Sequence, residues 1–399
     1  MSTQIFQHFI WQRIVILLFT LCVYQVHATA TDQTSNSNAS NSTRAVQAYL
    51  AALSNNTIDG VIAGQNIGHS NDFLNKTGLM GFAPLILGLQ QATGESPGII
   101  GVDYEHDKIA TPEQLSAVNK VLIDYWNAGG LISINWAPHN PWWNDETDIT
   151  NNPGIWSHTR TNGGDMSKVD LAQLLNPQSP MHKIWRRKLD RIASALAELQ
   201  QAGVVILWRP LQEMNGNWFW WGISSAPNDP QPYIDLWIDM HRYFTEEKKL
   251  NNLLWVYSPN QGPKLMERDF IKPIGWRYPG EKYVDVIAGT AYNNGLEIRD
   301  YKNYQQFNKP IAMAEFGPVA GGKPSRNGTF DTRLYAKQLQ KNYPDIAYWM
   351  SWSSWDNGNG TQEHQALVHN QNAKALLTNP AIISRQQIAW KNFLFINKK

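Results

Sequence analysis

Residues 99–135, IIGVDYEHDKIATPEQLSAVNKVLIDYWNAGGLISIN, contain a strand, a helix and a second strand in succession. IIGVD (99–103) and LISIN (131–135) are short β-rich apolar runs bounded by turn residues. Between them Thr111 can cap a helix that Pro112 opens, Leu115, Val118, Leu122 and Tyr125 share one face, and Gly129-Gly130 stop it. Working outward, the same pattern recurs. Ser179-Pro180 opens a helix carrying Ile184, Ile192, Leu196 and Leu199 that ends at Gly203, and Asp229-Pro230 opens another with Tyr233, Trp237 and Phe244. Further strand signals stand at VIAGQ (61–65), VVILW (204–208), LLWVY (253–257), VDVIAG (284–289), PIAMAE (310–315) and IAYWMSW (346–352), making eight. Strands alternating with helices imply a parallel sheet. Eight of them in one domain, with no glycine-rich phosphate loop after VIAGQNIGHS, predict a single closed (β/α)8 barrel of class α/β, not an open doubly wound sheet. No internal repeat supports the eightfold count, which rests on spacing.

Residues 1–30 read as a secretory signal peptide: Arg13 precedes the apolar run IVILLFTLCVYQV, and Ala28-Thr29-Ala30 supplies small residues for cleavage. The run is too short to span a bilayer, which takes about twenty apolar residues, so no membrane attachment is expected after cleavage. The single cysteine, Cys22, lies inside the signal and follows Leu21, which argues against a lipid anchor and leaves the mature chain without disulfides. Residues 31–44, TDQTSNSNASNSTR, are small and polar and predict a flexible linker, with the catalytic domain at 45–399. A net charge of +1 provides no basic footprint for nucleic acid or an anionic membrane, so the expected partner is uncharged. A secreted monomer is expected, extracellular or periplasmic.

In a closed parallel barrel the site forms at the C-terminal strand ends. Here those ends run into NWAPHNPWW, RPLQEMNGNWFWWG, TAYNN, EFGP and SWDNGNG. Nine of the eighteen tryptophans, at 136, 142, 143, 156, 218, 220, 221, 352 and 355, fall at or just beyond strand ends. A sugar ring packs its C–H face on an indole while its hydroxyls bond sideways, so tryptophan beside Asn, Gln and His is a carbohydrate-site composition. Barrel-mouth packing is the competing explanation, and it is the expected one for Trp208 and Trp255, which lie within strands. Glu213 and Glu315 each close a strand-end motif, 102 residues or three units of 34 apart, which sets strands four and seven across the mouth from each other. Paired carboxylates across a sugar-sized gap are what glycoside hydrolysis requires: one donates a proton to the leaving oxygen, and the other attacks or activates water.

With these residues in hand, a family resemblance emerges. WRPLQEMNGNWFWWG (208–222) resembles the strand-four signature of glycoside hydrolase family 26, mostly retaining β-mannanases on a (β/α)8 barrel. AEFG (314–317), YPGEKYVDVIAGTAY (278–292) and TNPAIISRQQI (378–388) are similar to its nucleophile motif, strand-six approach and C-terminal segment, so the resemblance spans roughly 45–390. It implies Glu213 as acid/base, Glu315 as nucleophile, Tyr292 beside the nucleophile, Trp218 on the leaving-group side and Trp352 under the sugar being cleaved. Arg209 is expected to keep Glu315 ionised, since a nearby guanidinium favours a charged carboxylate; a purely structural ion pair is the alternative. Trp136, His139 and Gln212 complete the expected substrate-contacting set, and no cofactor or metal is expected.

Three positions depart from the family pattern. Gln212 stands where His usually precedes the acid/base, Ala137 follows Trp136 where the motif usually reads Trp-His, and Ser353 replaces an Arg common in mannanases. The expected substrate is β-1,4-mannan, with β-1,3-xylan and mixed-linkage β-glucan as alternatives, and a non-catalytic carbohydrate-binding barrel as an alternative of another class. A metal hydrolase would need ligand spacing that His139, His158, His182 and His241 do not show. Asp103, Glu105, His106 and Asp107 form the best metal candidate, with a substrate-lining loop the blander reading. No G-x-S-x-G elbow marks a serine enzyme.

Overall fold

The computed structural model describes residues 30–69, 81–106, 109–143, 166–261 and 271–394. Apart from Ala30, the expected signal peptide lies outside these residues, as do Asp107, Trp156 and His158. Eight parallel strands follow in chain order: β1 Val61–His69, β2 Ile99–Asp103, β3 Leu131–Trp136, β4 Ile206–Pro210, β5 Leu253–Tyr257, β6 Val286–Tyr292, β7 Ile311–Gly317 and β8 Ile346–Ser351. Each pairs with the next, and β8 pairs back onto β1 through Ile62↔Tyr348 to Gln65↔Ser351, which closes the barrel. All eight strand signals fall on these strands. Several strands run past the apolar core of the signal, as where Arg209 and Pro210 extend β4, because the ladder carries polar side chains up to the mouth. Among the described residues, no helix is long and apolar enough to cross a membrane.

The helix at Pro112–Asn127 has the expected capping box: the Thr111 hydroxyl accepts from the Gln114 amide, and the Gln114 side chain accepts from the Thr111 amide. Its buried face is Leu115, Val118, Leu122 and Tyr125 with Asn119, and it packs beside the helix Pro180–Gln201. Inside the barrel, Ile62, Ile99, Leu131, Leu207, Val256, Ala288, Ala312 and Met350 form a continuous apolar core. Large and small residues alternate there by necessity. A Cβ on Gly64 would stand 2.2 Å from the Met350 sulfur and one on Gly101 2.6 Å from its methyl, so the two glycines make the room that Met350 fills.

The segment 31–44 is not the flexible linker its composition predicts. Helix Asn41–Ser54 begins inside it, capped by the Ser40 hydroxyl, and its Val46, Tyr49, Leu50 and Leu53 join the core at the bottom of the barrel. Upstream, the Ser35 amide and hydroxyl both donate to Asp285, at 2.5 and 2.9 Å, and the Asn36 amide group donates to Leu250 O. Small polar residues find specific acceptors here, which offsets the ordering cost that low hydrophobicity could not.

Candidate active site

The chain turns sharply after β4. Leu211 and Glu213 both sit at positive φ, 50° and 56°, a conformation that costs non-glycine residues on the order of 1–3 kcal/mol and that concentrates at functional sites. The turn is pinned by the Leu211 amide to Trp136 O and by the Glu213 amide to Ser258 O, at 3.0 and 2.7 Å, so Glu213 is held across the end of β5. Its carboxylate accepts from Trp218 Nε1 at 2.7 Å and from Asn260 Nδ2 at 3.1 Å. Burial, then the negative charge of Glu315, push its pKa up to about 7, against the opposing pull of Arg209, Asn260 and Trp218.

Glu315, 8% exposed in β7, has different company. Its Oε1 accepts from Arg209 Nη1 at 2.8 Å and its Oε2 from the Tyr292 hydroxyl at 2.7 Å. Arg209 is itself fixed, with Nε on the Ser258 hydroxyl at 2.7 Å and Nη2 on the Thr290 hydroxyl at 3.0 Å, so β4, β6, β7 and the end of β5 meet in one buried network. Burial and the adjacent Glu315 hold the Tyr292 hydroxyl well above its usual pKa, leaving it a proton donor to that carboxylate. One carboxyl thus keeps a proton near neutrality while the other is bonded to a fixed cation and a phenol. Different surroundings are one means by which two nearby carboxyls can take different roles.

The other expected site residues divide. Trp218 is partly buried with its ring over Gly216, where a Cβ would stand 2.2 Å from the indole, so glycine is required for the ring to approach. Trp352 is partly buried just beyond β8, its carbonyl accepting from Gln65 Nε2 at 3.1 Å. Gln212 is 2% exposed, and among the described residues its Oε1 has no hydrogen-bond partner. His139 is buried beyond β3. Trp136 is a correction. It is 0% exposed, stacked on Trp185 and Trp208, and donates from Nε1 to Glu105 at 3.0 Å, so it is core and cannot lie against a sugar. Trp220 and Trp221 are core too, donating to Pro138 O and Gln212 O and so securing the loop that carries Trp218.

Asn260, Ser258 and Thr290 were not singled out in the sequence. The signal was there: SPNQ ends strand five as EFGP ends strand seven, and the strand-end rule applied to it selects Ser258 and Asn260. The metal candidate is otherwise engaged. Asp103 accepts from Asn135 at 2.6 Å and pairs with His106 at 3.3 Å, while Glu105 pairs with Arg191. Among the described residues no group of three or more His, Cys, Asp or Glu could hold a metal ion.

The model of Glycosyl hydrolase family 26 matches residues 35–387. The chain belongs to this family. The match begins within the segment first read as a linker, in keeping with its packing. This family 26 chain is 35% identical over 329 residues to the mannan endo-1,4-beta-mannosidase A and B of Caldalkalibacillus mannanilyticus, covering 80% of the chain and 58% of that protein. It therefore spans less than two thirds of that relative's length. It is 31% identical over 346 residues to a mannan endo-1,4-beta-mannosidase of Bacillus subtilis, covering 84% and 85% of the two. The solved Bacillus subtilis mannanase man26 superposes with a TM-score of 0.71 at 28% identity, over 90% of this chain and 96% of that one.

Proposed function

We propose that this family 26 chain is a secreted, endo-acting, retaining glycoside hydrolase that cleaves β-1,4-mannan by double displacement, with Glu213 as acid/base and Glu315 as nucleophile. The observation that carries the reading is the asymmetry of the two carboxyls: Glu213 is pushed up to about 7, while Glu315 is bonded to Arg209 and Tyr292. In the first step Glu315 attacks the anomeric carbon as Glu213 gives its proton to the departing glycosidic oxygen. Glu213, now a carboxylate, then takes a proton from water, which attacks the same carbon and releases Glu315. Arg209 and Tyr292 hold the nucleophile against rotation through both steps, and Trp218 orients Glu213. The mannan assignment draws on what the relatives are named for. Gln212, Ala137 and Ser353 favour a second reading, a mixed-linkage β-glucan or β-1,3-xylan substrate, because they alter polar groups near the cleavage point.

The test incubates the mature protein with mannan, mixed-linkage glucan, β-1,3-xylan and cellulose and follows the products by chromatography and early-time NMR. A ladder of internal fragments from mannan with β-anomers formed first is expected. First-formed α-anomers sink the retaining mechanism, and cleavage of another glycan alone sinks mannan. Loss of hydrolysis in Glu315→Ala and Glu213→Ala separates an enzyme from a carbohydrate-binding barrel.

A further inference from the structure

Beyond β8 the chain forms a short hairpin, Trp355–Asp356 against Gln362–Glu363, turned by Gly358 and Gly360 at positive φ. Among the described residues Trp355 is one of three large hydrophobic side chains that stay exposed, at 37%, in a protein that buries eight other tryptophans to 2% or less or holds them in its core. Its one polar atom is already satisfied within the hairpin, Nε1 donating to Asn357 Oδ1 at 2.9 Å. The indole's polar atom is thus engaged inside the hairpin, while more than a third of the residue is open to solvent.

The hairpin is also held firmly. Glu363, 2% exposed, accepts from Gly321 N at 2.9 Å, Ser325 Oγ at 2.7 Å, Arg326 Nε at 3.3 Å and Asn357 Nδ2 at 3.3 Å, tying the hairpin to the loop after β7. The Ser354 hydroxyl accepts from the Ala366 amide and bonds His369 at 2.8 Å, and Asn357 bridges the turn to Thr361. A short hairpin secured at this many points sacrifices chain entropy, and Trp355 is in neither apolar core cluster. Trp355 follows Trp352 by three residues, so it stands no more than about 11 Å from it along the chain, within reach of a glycan seated at the mouth.

We propose that this hairpin is a distal sugar-binding subsite, with Trp355 as the platform and Glu363 as the residue that holds the platform in place. Its ligand is a neutral pyranose unit of the same β-linked chain, beyond the sugar at the cleavage point, stacked by its C–H face on the indole. The inference rests on the reading of the mouth as a β-glycan hydrolase site.

The experiment compares kcat/KM on a hexasaccharide and a trisaccharide of the preferred glycan in the wild-type protein and in Trp355→Ala, Trp355→Phe, Glu363→Ala and Glu363→Gln. The hexasaccharide to trisaccharide ratio should fall about three- to tenfold in Trp355→Ala, the range expected for one ring contact, and recover largely in Trp355→Phe. Glu363→Ala should lower the same ratio, and Glu363→Gln, which keeps acceptors for Gly321 and Ser325, should restore most of it. An unchanged ratio in Trp355→Ala, or an equal loss on both substrates, overturns the subsite; an unchanged ratio in Glu363→Ala overturns the positioning role. If the wild-type protein cleaves no β-glycan, the functional reading has failed instead. The subsite is then judged by calorimetry with the hexasaccharide of mannan, where equal affinity of wild type and Trp355→Ala rejects it.

Discussion

Arg209 and Glu315 form a buried ion pair at 2.8 Å between strands that are three apart in the barrel, and every nitrogen of the guanidinium has an assigned acceptor: Glu315, Ser258 and Thr290. A planar fork suits this three-way arrangement and an ammonium does not. Removing one partner of a buried pair leaves an uncompensated charge, which typically costs 3–5 kcal/mol.

Arg209→Lys should therefore retain part of the charge interaction but lose the Ser258 or Thr290 bond, and kcat/KM should fall on the order of tenfold to a hundredfold. Arg209→Met should lose more, because it removes the donors to Glu315, Ser258 and Thr290 together and leaves the buried carboxylate without its cation. Steady-state kinetics from pH 4 to 9 measure both effects. A wild-type kcat/KM in Arg209→Met would contradict its role in holding Glu315.

On the proposed assignment, Glu213 as general acid should set the basic limb. A general acid with a pKa of about 7 is spent above neutrality, so kcat/KM should decline through pH 7. Trp218 and Asn260 favour its charged form by hydrogen bonding, so Trp218→Phe and Asn260→Ala should each move that limb to higher pH while lowering the rate.

The same shift has a stability consequence. Because the folded pKa is raised, the folded state holds more protons than the unfolded one between the ordinary carboxyl pKa of 4.5 and about 7, so stability contributed by this group is lost as pH rises through that window. Glu213→Gln is free of this loss. Its Tm relative to wild type should climb by roughly 2–4 °C between pH 5 and pH 8 in scanning calorimetry. A constant difference would show that Glu213 titrates at its ordinary value.

Gln212 combines burial with an Oε1 that has no partner among the described residues. A buried acceptor left unpaired is costly, and a sugar hydroxyl would satisfy it. Gln212→Ala should lower kcat/KM severalfold without loss of fold by circular dichroism. Gln212→His should change the ratio of mannan to glucan or xylan cleavage, whereas a packing role predicts equal change on every substrate.

Trp136 carries the opposite expectation. As a fully buried ring stacked between Trp185 and Trp208, its truncation to Ala should destabilise the barrel by about 3–5 kcal/mol, read from denaturant unfolding. Trp136→Phe should leave KM near that of wild type, since the ring does not meet substrate.

The barrel and its carboxyl pair were determined by the sequence itself. Strand signals such as IIGVD and LISIN, the Thr111 capping box and the strand-end glutamates are local features, and alternating strand and helix closes in few ways. Tertiary structure decided which further strand-end rings are buried in the core. Trp136 ends β3 and Trp218 follows β4, both among polar neighbours, and a flat apolar ring suits a core as well as a sugar; Trp185 and Trp208 stack on the first, while Gly216 makes room for the second. The same holds for residues 31–44, whose composition reads as a linker until Asp285, 250 residues from Ser35, supplies its acceptor. Local periodicity specifies an element, but burial and hydrogen-bond satisfaction depend on partners distant in the chain, and those exist only once the barrel has closed.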